Sequence, residues 1–184
     1  MIYKKIDNDF YLKQLQVEDS EQLFQLVDKN REYLKEWLPW LNYNKSIEDS
    51  QKFIIDAKER YEGNKSFELG IWYKEKLAGV IGLHEIDWKN EKTAIGYWLG
   101  NDFQGHGLVS QAVQFVFDYC FKELKLKVIE IRCAVDNKKS RVIPEKLGLK
   151  FKGIKEMAES LYGKLVDHAI YEINLDDFII NQTN

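Results

Sequence analysis

Two glycines flank a histidine in Gln104-Gly105-His106-Gly107-Leu108-Val109-Ser110, between the apolar run Ile95-Gly-Tyr-Trp-Leu-Gly100 and an amphipathic stretch that begins at Leu108. Glycine accepts backbone conformations closed to other residues and lets a ligand approach the main chain closely. At a strand-to-helix junction, the N–H groups of Gln104 through Ser110 would converge with the positive end of the helix dipole behind them. That arrangement suits a pyrophosphate. About thirty residues on lies a second block, Asn137-Lys-Lys-Ser140-Arg141-Val-Ile-Pro144-Glu145-Lys146-Leu147-Gly148. Asn137 suits a helix N-cap, where its amide oxygen would satisfy an orphan N–H. His106 reads as an exposed loop residue rather than a catalytic one. No Gly-Lys-Ser/Thr follows the glycine loop to hold phosphate and magnesium, so phosphoryl transfer fits poorly. No Cys or Ser lies in a recognisable nucleophile motif.

Periodicity gives the elements that carry these residues. Phe10 to Gln16 alternates as a first strand, Val17-Glu-Asp-Ser makes a polar entry, and Asp19 to Lys29 reads as a helix. After Trp37-Leu38-Pro39-Trp40 comes a second helix, capped by Ser46, with Phe53, Ile54, Ala57 and Tyr61 on one face. Phe67 to Tyr73, Leu77 to Ile86 and Thr93 to Leu99 read as strands of two consecutive hairpins. Leu108 to Phe121 carries an apolar stripe of Val109, Ala112, Val113, Val116 and Cys120, and so reads as a helix. A strand from Val128 to Val135 and a short helix from Asn137 to Leu147, ended by Gly148, come next. Lys150 to Met157 and Val166 to Leu175 close the pattern as strands. The order βααβββαβαββ implies a mixed α/β fold around one central sheet.

Composition excludes several classes. A chain of 184 residues suits one domain. Its 45% apolar and 31% charged content is that of a soluble globular protein. No run approaches the roughly twenty apolar residues of a membrane helix, and the start Met-Ile-Tyr-Lys-Lys lacks a signal-peptide core, so the expected location is cytoplasmic, without a membrane partner. Cys120 and Cys133 fall in helix and strand patterns, as reduced core residues do, and three histidines show no metal-ligand spacing. Net charge is 27 − 30 = −3 with the signs interspersed, which argues against nucleic acid and tolerates a cationic acceptor such as an amine.

Together the two blocks resemble the GCN5-related N-acetyltransferase (GNAT) family, whose cofactor loop reads Gln/Arg-x-x-Gly-x-Gly/Ala and whose next αβ unit carries Asn-x-x-Ser. The resemblance spans roughly residues 9 to 176 and makes 1–184 a single domain. It implies a mixed, mostly antiparallel α/β sheet, splayed at the acetyl-CoA site, with helices on both faces. Val109 stands where a small residue is usual and Leu149 where Phe is usual; neither removes a phosphate-binding amide. Pro144 departs further. Many members place a tyrosine there to protonate the CoA thiolate, and a proline cannot. Ser140-Arg141-x-Ile-Pro144-Glu145-Lys146, Trp37-Leu-Pro-Trp40 and Leu161-Tyr-Gly-Lys-Leu-Val-Asp167-His168-x-x-Tyr171 are similar to the branch of ribosomal-protein N-terminal acetyltransferases, the RimJ/RimL type.

The resemblance implies acetyl-CoA as co-substrate, with no metal, and a protein N-terminus as acceptor; a small amine such as a polyamine or aminoglycoside keeps the same chemistry. It puts Tyr97, Trp98 and Leu99 beside the thioester, with a backbone N–H near Leu99 as oxyanion donor, although Trp98 is equally read as core. Gln104, Gly105, His106, Gly107, Leu108, Val109 and Ser110 line the CoA loop, and Asn137 contacts the pantetheine arm. Ser140 is the implied general acid, or else a residue that bonds a turn amide. Many members carry a Glu where Ala94 stands here, so the implied base moves to Glu159, with Glu85 as fallback. A third reading is a non-catalytic acyl-CoA sensor. The aromatic segment Trp37 to Tyr43 is compatible with a homodimer.

Overall fold

The computed structural model describes residues 1–183; Asn184, the last residue of the expected 1–184 domain, lies outside them. The chain divides into two compact units, Met1–Gly82 with Tyr97–Ala112, and Leu83–Gly96 with Val113–Asn184. Eight strands hydrogen-bond in the order β1-β2-β3-β4-β5-β6-β8-β7. They are β1 Tyr3–Lys5, β2 Phe10–Lys13, β3 Glu68–Tyr73, β4 Lys76–Leu83, β5 Lys92–Leu99, β6 Val128–Ala134, β7 Lys150–Leu161 and β8 Lys164–Asn174. The sheet is mixed and mostly antiparallel, with β5 and β6 parallel.

In the first unit, β1 to β4 form an antiparallel meander. The β3–β4 hairpin turns on Lys74 and Glu75, both at positive φ (49° and 61°), the backbone a tight two-residue turn demands. Three helices belong here: α1 Ser20–Lys29, α2 Arg31–Lys35 and α3 Ile47–Glu62. Ser46 caps α3 as its sequence predicts: its hydroxyl accepts the Asp49 N–H at 3.3 Å while the Asp49 carboxylate accepts the Ser46 N–H at 3.0 Å. Leu23, Leu26 and Val27 of α1, Ile54 of α3 and Trp72, Leu77 and Val80 of the strands share one core.

The second unit alternates cleanly. Register pairs Thr93 with Ile129 and Ile95 with Ile131, then Ile131 with Tyr171 and Cys133 with Ala169. These residues form a buried apolar face. The intervening residues, Glu130, Arg132, His168 and Glu172, point the other way. Helix α4, Leu108–Asp118, runs on through a π-helical turn at Tyr119–Glu123, so the single expected helix to Phe121 changes pitch near its end. Helices α5, Lys138–Lys146, and α6, Leu175–Thr183, complete the unit. Phe178 of α6 packs edge-on to Phe117 and beside Phe121, at 6.2 and 4.8 Å between ring centroids. β1, α2 and α6 are additions to the predicted order, and β7 continues past Met157 to Leu161. Among the described residues no helix is long and apolar enough to cross a membrane.

Candidate active site

The glycine loop belongs to the first unit. β5 delivers Tyr97, Trp98 and Leu99, all half-buried, and ends where the Gly100 N–H donates to the Ala78 carbonyl at 2.8 Å. A Cβ at Gly79 would collide with the Trp98 carbonyl oxygen, so only glycine lets β4 lie this close to the end of β5. Trp98 and Trp40 lie 5.9 Å apart between ring centroids, which brings the Trp-Leu-Pro-Trp segment and the strand end together. Buried Asn30 anchors the chain just past the strand end. Its Oδ1 accepts the Asn101 N–H at 2.8 Å, and its Nδ2 donates to the Leu26 carbonyl at 2.8 Å.

The loop itself is held from both sides. Gln104 Nε2 donates to the Tyr33 hydroxyl at 2.8 Å, and the exposed ring of His106 stacks on Tyr73 at 5.0 Å. Gly105 and Gly107 sit at φ 82° and 70°, in the left-handed region. Open space surrounds the position of a Cβ at Gly105, so glycine is required there by backbone conformation rather than by room. The Gln104 N–H is taken by the Asn101 carbonyl at 3.3 Å, which narrows the expected set of anion-binding amides to Gly105 onward. The first intrahelical bond of α4 runs from Gln111 N–H to the Gly107 carbonyl at 3.2 Å. The amides of Leu108, Val109 and Ser110 therefore have no acceptor within the helix and point out of its positive end. Buried Leu108 roots the loop in the core.

In the second unit, Asn137 is the N-cap of α5: its Oδ1 accepts the Ser140 N–H at 3.1 Å. Ser140 is half-buried, and its Oγ accepts from the Cys133 thiol at 3.5 Å. The helix is clamped by Arg141, whose Nε donates to the Tyr171 hydroxyl at 2.9 Å and whose Nη1 donates to the Val135 carbonyl at 3.0 Å. The Tyr171 hydroxyl in turn donates to Glu145 at 2.5 Å. Pro144 is buried inside α5 and has no N–H to offer the Ser140 carbonyl. Ser140 thus lies over the apolar face of the unit's strands, beside Cys133.

Glu159 lies on the opposite, polar face. It pairs with Val166, and Val166 shares a face with His168 two residues on. Glu159 Oε2 lies 3.4 Å from His168 Nε2. The ring of His84, on the connection from β4 to β5, packs over Gly96, 3.1 Å from where a Cβ would be. His84 is exposed by surface area, yet the protein around its ring and the Arg132 guanidinium hold its pKa below the usual imidazole value, with Glu159 opposing. Ala94 stands opposite Glu130, which offers a carboxylate near the usual Glu position. Burial works to raise the Glu130 pKa, but hydrogen bonds from Lys92 and Arg132 prevail and hold it low. That suits a structural anion, not a base. Glu85 is exposed. The pairing of His168 with Glu159 leaves no signal in the sequence beyond the Asp167-His168 dipeptide of the closing-strand motif. Among the described residues no group of three or more His, Cys, Asp or Glu side chains could hold a metal ion.

Known proteins resemble this chain over most of its length. Residues 9–150 match the model of the Acetyltransferase (GNAT) domain. The ribosomal-protein-serine acetyltransferase of Escherichia coli (strain K12) is 30% identical over 154 residues, covering 84% of this chain and 86% of that protein. The crystal structure of the Microcin C7 self-immunity acetyltransferase MccE, in complex with acetyl-CoA and AMP, superimposes with a TM-score of 0.88 at 31% identity, over 93% of this chain and 95% of that one. RimL, the ribosomal L7/L12 alpha-N-protein acetyltransferase, in complex with coenzyme A, gives a TM-score of 0.90 at 26% identity, over 96% and 99%.

Proposed function

Because this chain belongs to the GNAT acetyltransferase family and is an acyltransferase, we propose that it carries acetyl from acetyl-CoA to the N-terminal α-amino group of a protein, of the ribosomal-protein type. The observation that carries the reading is the loop in which Gly105 and Gly107 turn the backbone left-handed ahead of α4. Pyrophosphate takes the amides from Gly105 to Ser110, with His106 at the loop's exposed tip. Gln104 braces the loop through Tyr33. The acetyl-CoA in the crystal structure of MccE and the coenzyme A in that of RimL support the same choice here. Trp98 and Leu99 flank the thioester, the Leu99 N–H polarises its carbonyl, and Asn137 holds the pantetheine arm while capping α5.

The amine attacks the thioester carbon directly, and approximation alone is worth about 7–11 kcal/mol when two reactants are held in register. Glu159 takes the amine proton; an α-amine with a pKa near 8 is mostly protonated at neutral pH and needs a base. The C–S bond breaks, and the Ser140 hydroxyl gives a proton to the departing thiolate. Glu159 and Ser140 lie on opposite faces of the second unit's strands, so this reading requires a thioester carbon placed where both faces open to it. The protein acts as a single cytoplasmic N-acetyltransferase domain.

Free-thiol release from acetyl-CoA tests this against Ser-, Ala- and Met-starting peptides, a ribosomal protein mixture, spermidine and an aminoglycoside. Turnover confined to peptides or ribosomal protein is the expected result. Turnover on spermidine would move the protein to the small-amine class, where a spermidine N(1)-acetyltransferase of Escherichia coli (strain K12), 26% identical over 144 residues, already stands. Tight acetyl-CoA binding with no turnover would make it a sensor.

A further inference from the structure

Strand β7 breaks step with β8 directly ahead of Glu159. Lys155 pairs with His168 and Glu159 with Val166, so four steps along β7 are matched by two along β8. The irregularity contains Met157 at φ 47°, a conformation side-chain-bearing residues rarely adopt. The Met157 N–H donates to the Asp167 carboxylate at 2.8 Å, which holds the bulge in place. Without the extra residues, position 157 would face Val166, and Glu159 would be carried beyond reach of His168. With them, the Glu159 carboxylate arrives 3.4 Å from His168 Nε2. That nitrogen is buried, and the contact lies off the line of a hydrogen bond within the protein. Bulges re-aim side chains beside active sites, and unusual backbone persists where the surroundings over-determine it.

We propose that Asp167 and His168 together are positioning residues for the amine-deprotonating step: Asp167 sets the bulge that draws Glu159 along the polar face to a place beside Val166, and His168 stands against its carboxylate. The assignment rests on Glu159 as the base. The polar face around the pair carries His84 from the β4–β5 connection, Lys92 on β5, Glu130 and Arg132 on β6, Lys155 on β7 and Glu172 on β8. Most of these charges are engaged. Lys92 bridges Glu130 and Glu172, and Arg132 bonds Glu130 at 2.6 Å. His168 is the imidazole placed directly against Glu159. Its Nε2 can give a hydrogen bond to the ionised carboxylate or accept one from the carboxylic acid formed after proton transfer.

The test is a double-mutant cycle read through pH–rate profiles, using the amine of the panel above that turns over fastest. His168→Leu is expected to lower kcat between about 10- and 100-fold, the cost of a misplaced reacting group, with the acetyl-CoA KM unchanged. His168→Gln, which keeps a donor near the same place, should recover part of the loss and of the pH profile. In a Glu159→Gln background, His168→Leu should cost nothing more. Asp167→Ala should mimic His168→Leu. Should Glu159→Gln keep the wild-type rate and profile, the base reading fails and the proposal falls with it. A Glu159→Gln defect alongside a silent His168→Leu, or additive losses in the double variant, would overturn the positioning role alone. Lack of turnover of the wild-type protein on every amine of the panel would remove both.

Discussion

Among single residues, Gly107 and Ser140 are where the proposed binding and the proposed chemistry can be separated. A valine at 107 must adopt φ near 70°, which β-branched side chains resist strongly, so the loop would reshape and its amides would turn away. Gly107→Val is therefore expected to raise the acetyl-CoA KM at least about tenfold, with kcat at saturation far less affected, as steady-state kinetics would record. Ser140→Ala should do the reverse: the Asn137 cap is made to the Ser140 backbone, so the helix survives, and kcat falls by about 100-fold for loss of an acid. A rate near wild type would reduce Ser140 to a neighbour of Cys133. His84 offers a pH-dependent readout. Its folded-state pKa lies below the ordinary 6.5, so the fold prefers the neutral ring. The resulting stabilisation is fully present above pH 6.5 and is lost as pH falls through the depressed value. His84→Gln should flatten that acid-side fall in urea-denaturation midpoints, and only slightly, because the residue is exposed.

Among the elements, α5 depends on its start. Asn137 satisfies an N–H that otherwise has no partner within the helix, and α5 is only nine residues long with a proline inside. Asn137→Ala should cost about 1 kcal/mol in urea denaturation. The same substitution should raise the acetyl-CoA KM if the side chain also meets the pantetheine arm. Such caps are legible in the sequence because they are local: Ser46 with Asp49, and Asn137 ahead of Ser140, declare themselves by spacing. The glycine loop is legible for the same reason. Structure set by partners rather than by pattern is not. β1 is Tyr-Lys-Lys, wholly exposed on the sheet edge, without an apolar period to betray it. α2 is a five-residue helix that buries Leu34. The π-helical turn after Asp118 keeps the apolar stripe intact and so leaves no trace in it. The pairing of Glu159 with His168 is illegible because two extra residues in β7 move its register against β8, and alternation along one strand does not report register with its neighbour.

For the molecule as a whole, co-substrate binding and folding are one equilibrium. A ligand that binds only the native state adds RT ln(1 + [L]/Kd) to its stability, about 2.7 kcal/mol at a hundred times Kd. For a domain of 150–250 residues, each kcal/mol moves Tm by roughly 2–4 °C, so saturating acetyl-CoA should raise Tm by about 5–10 °C. Thermal unfolding with and without acetyl-CoA then sorts the residues without any knowledge of the acceptor. The wild-type protein and Ser140→Ala should shift alike under the proposed mechanism, in which the hydroxyl acts on the leaving thiolate and not on the pyrophosphate. Gly107→Val should lose most of the shift even if its own Tm is unchanged. A Gly107→Val protein that shifts as far as wild type would remove the loop from the clamp. A Ser140→Ala protein that fails to shift would mean that α5 contributes to binding rather than to the proton, and the division of labour between the two motifs would have to be redrawn.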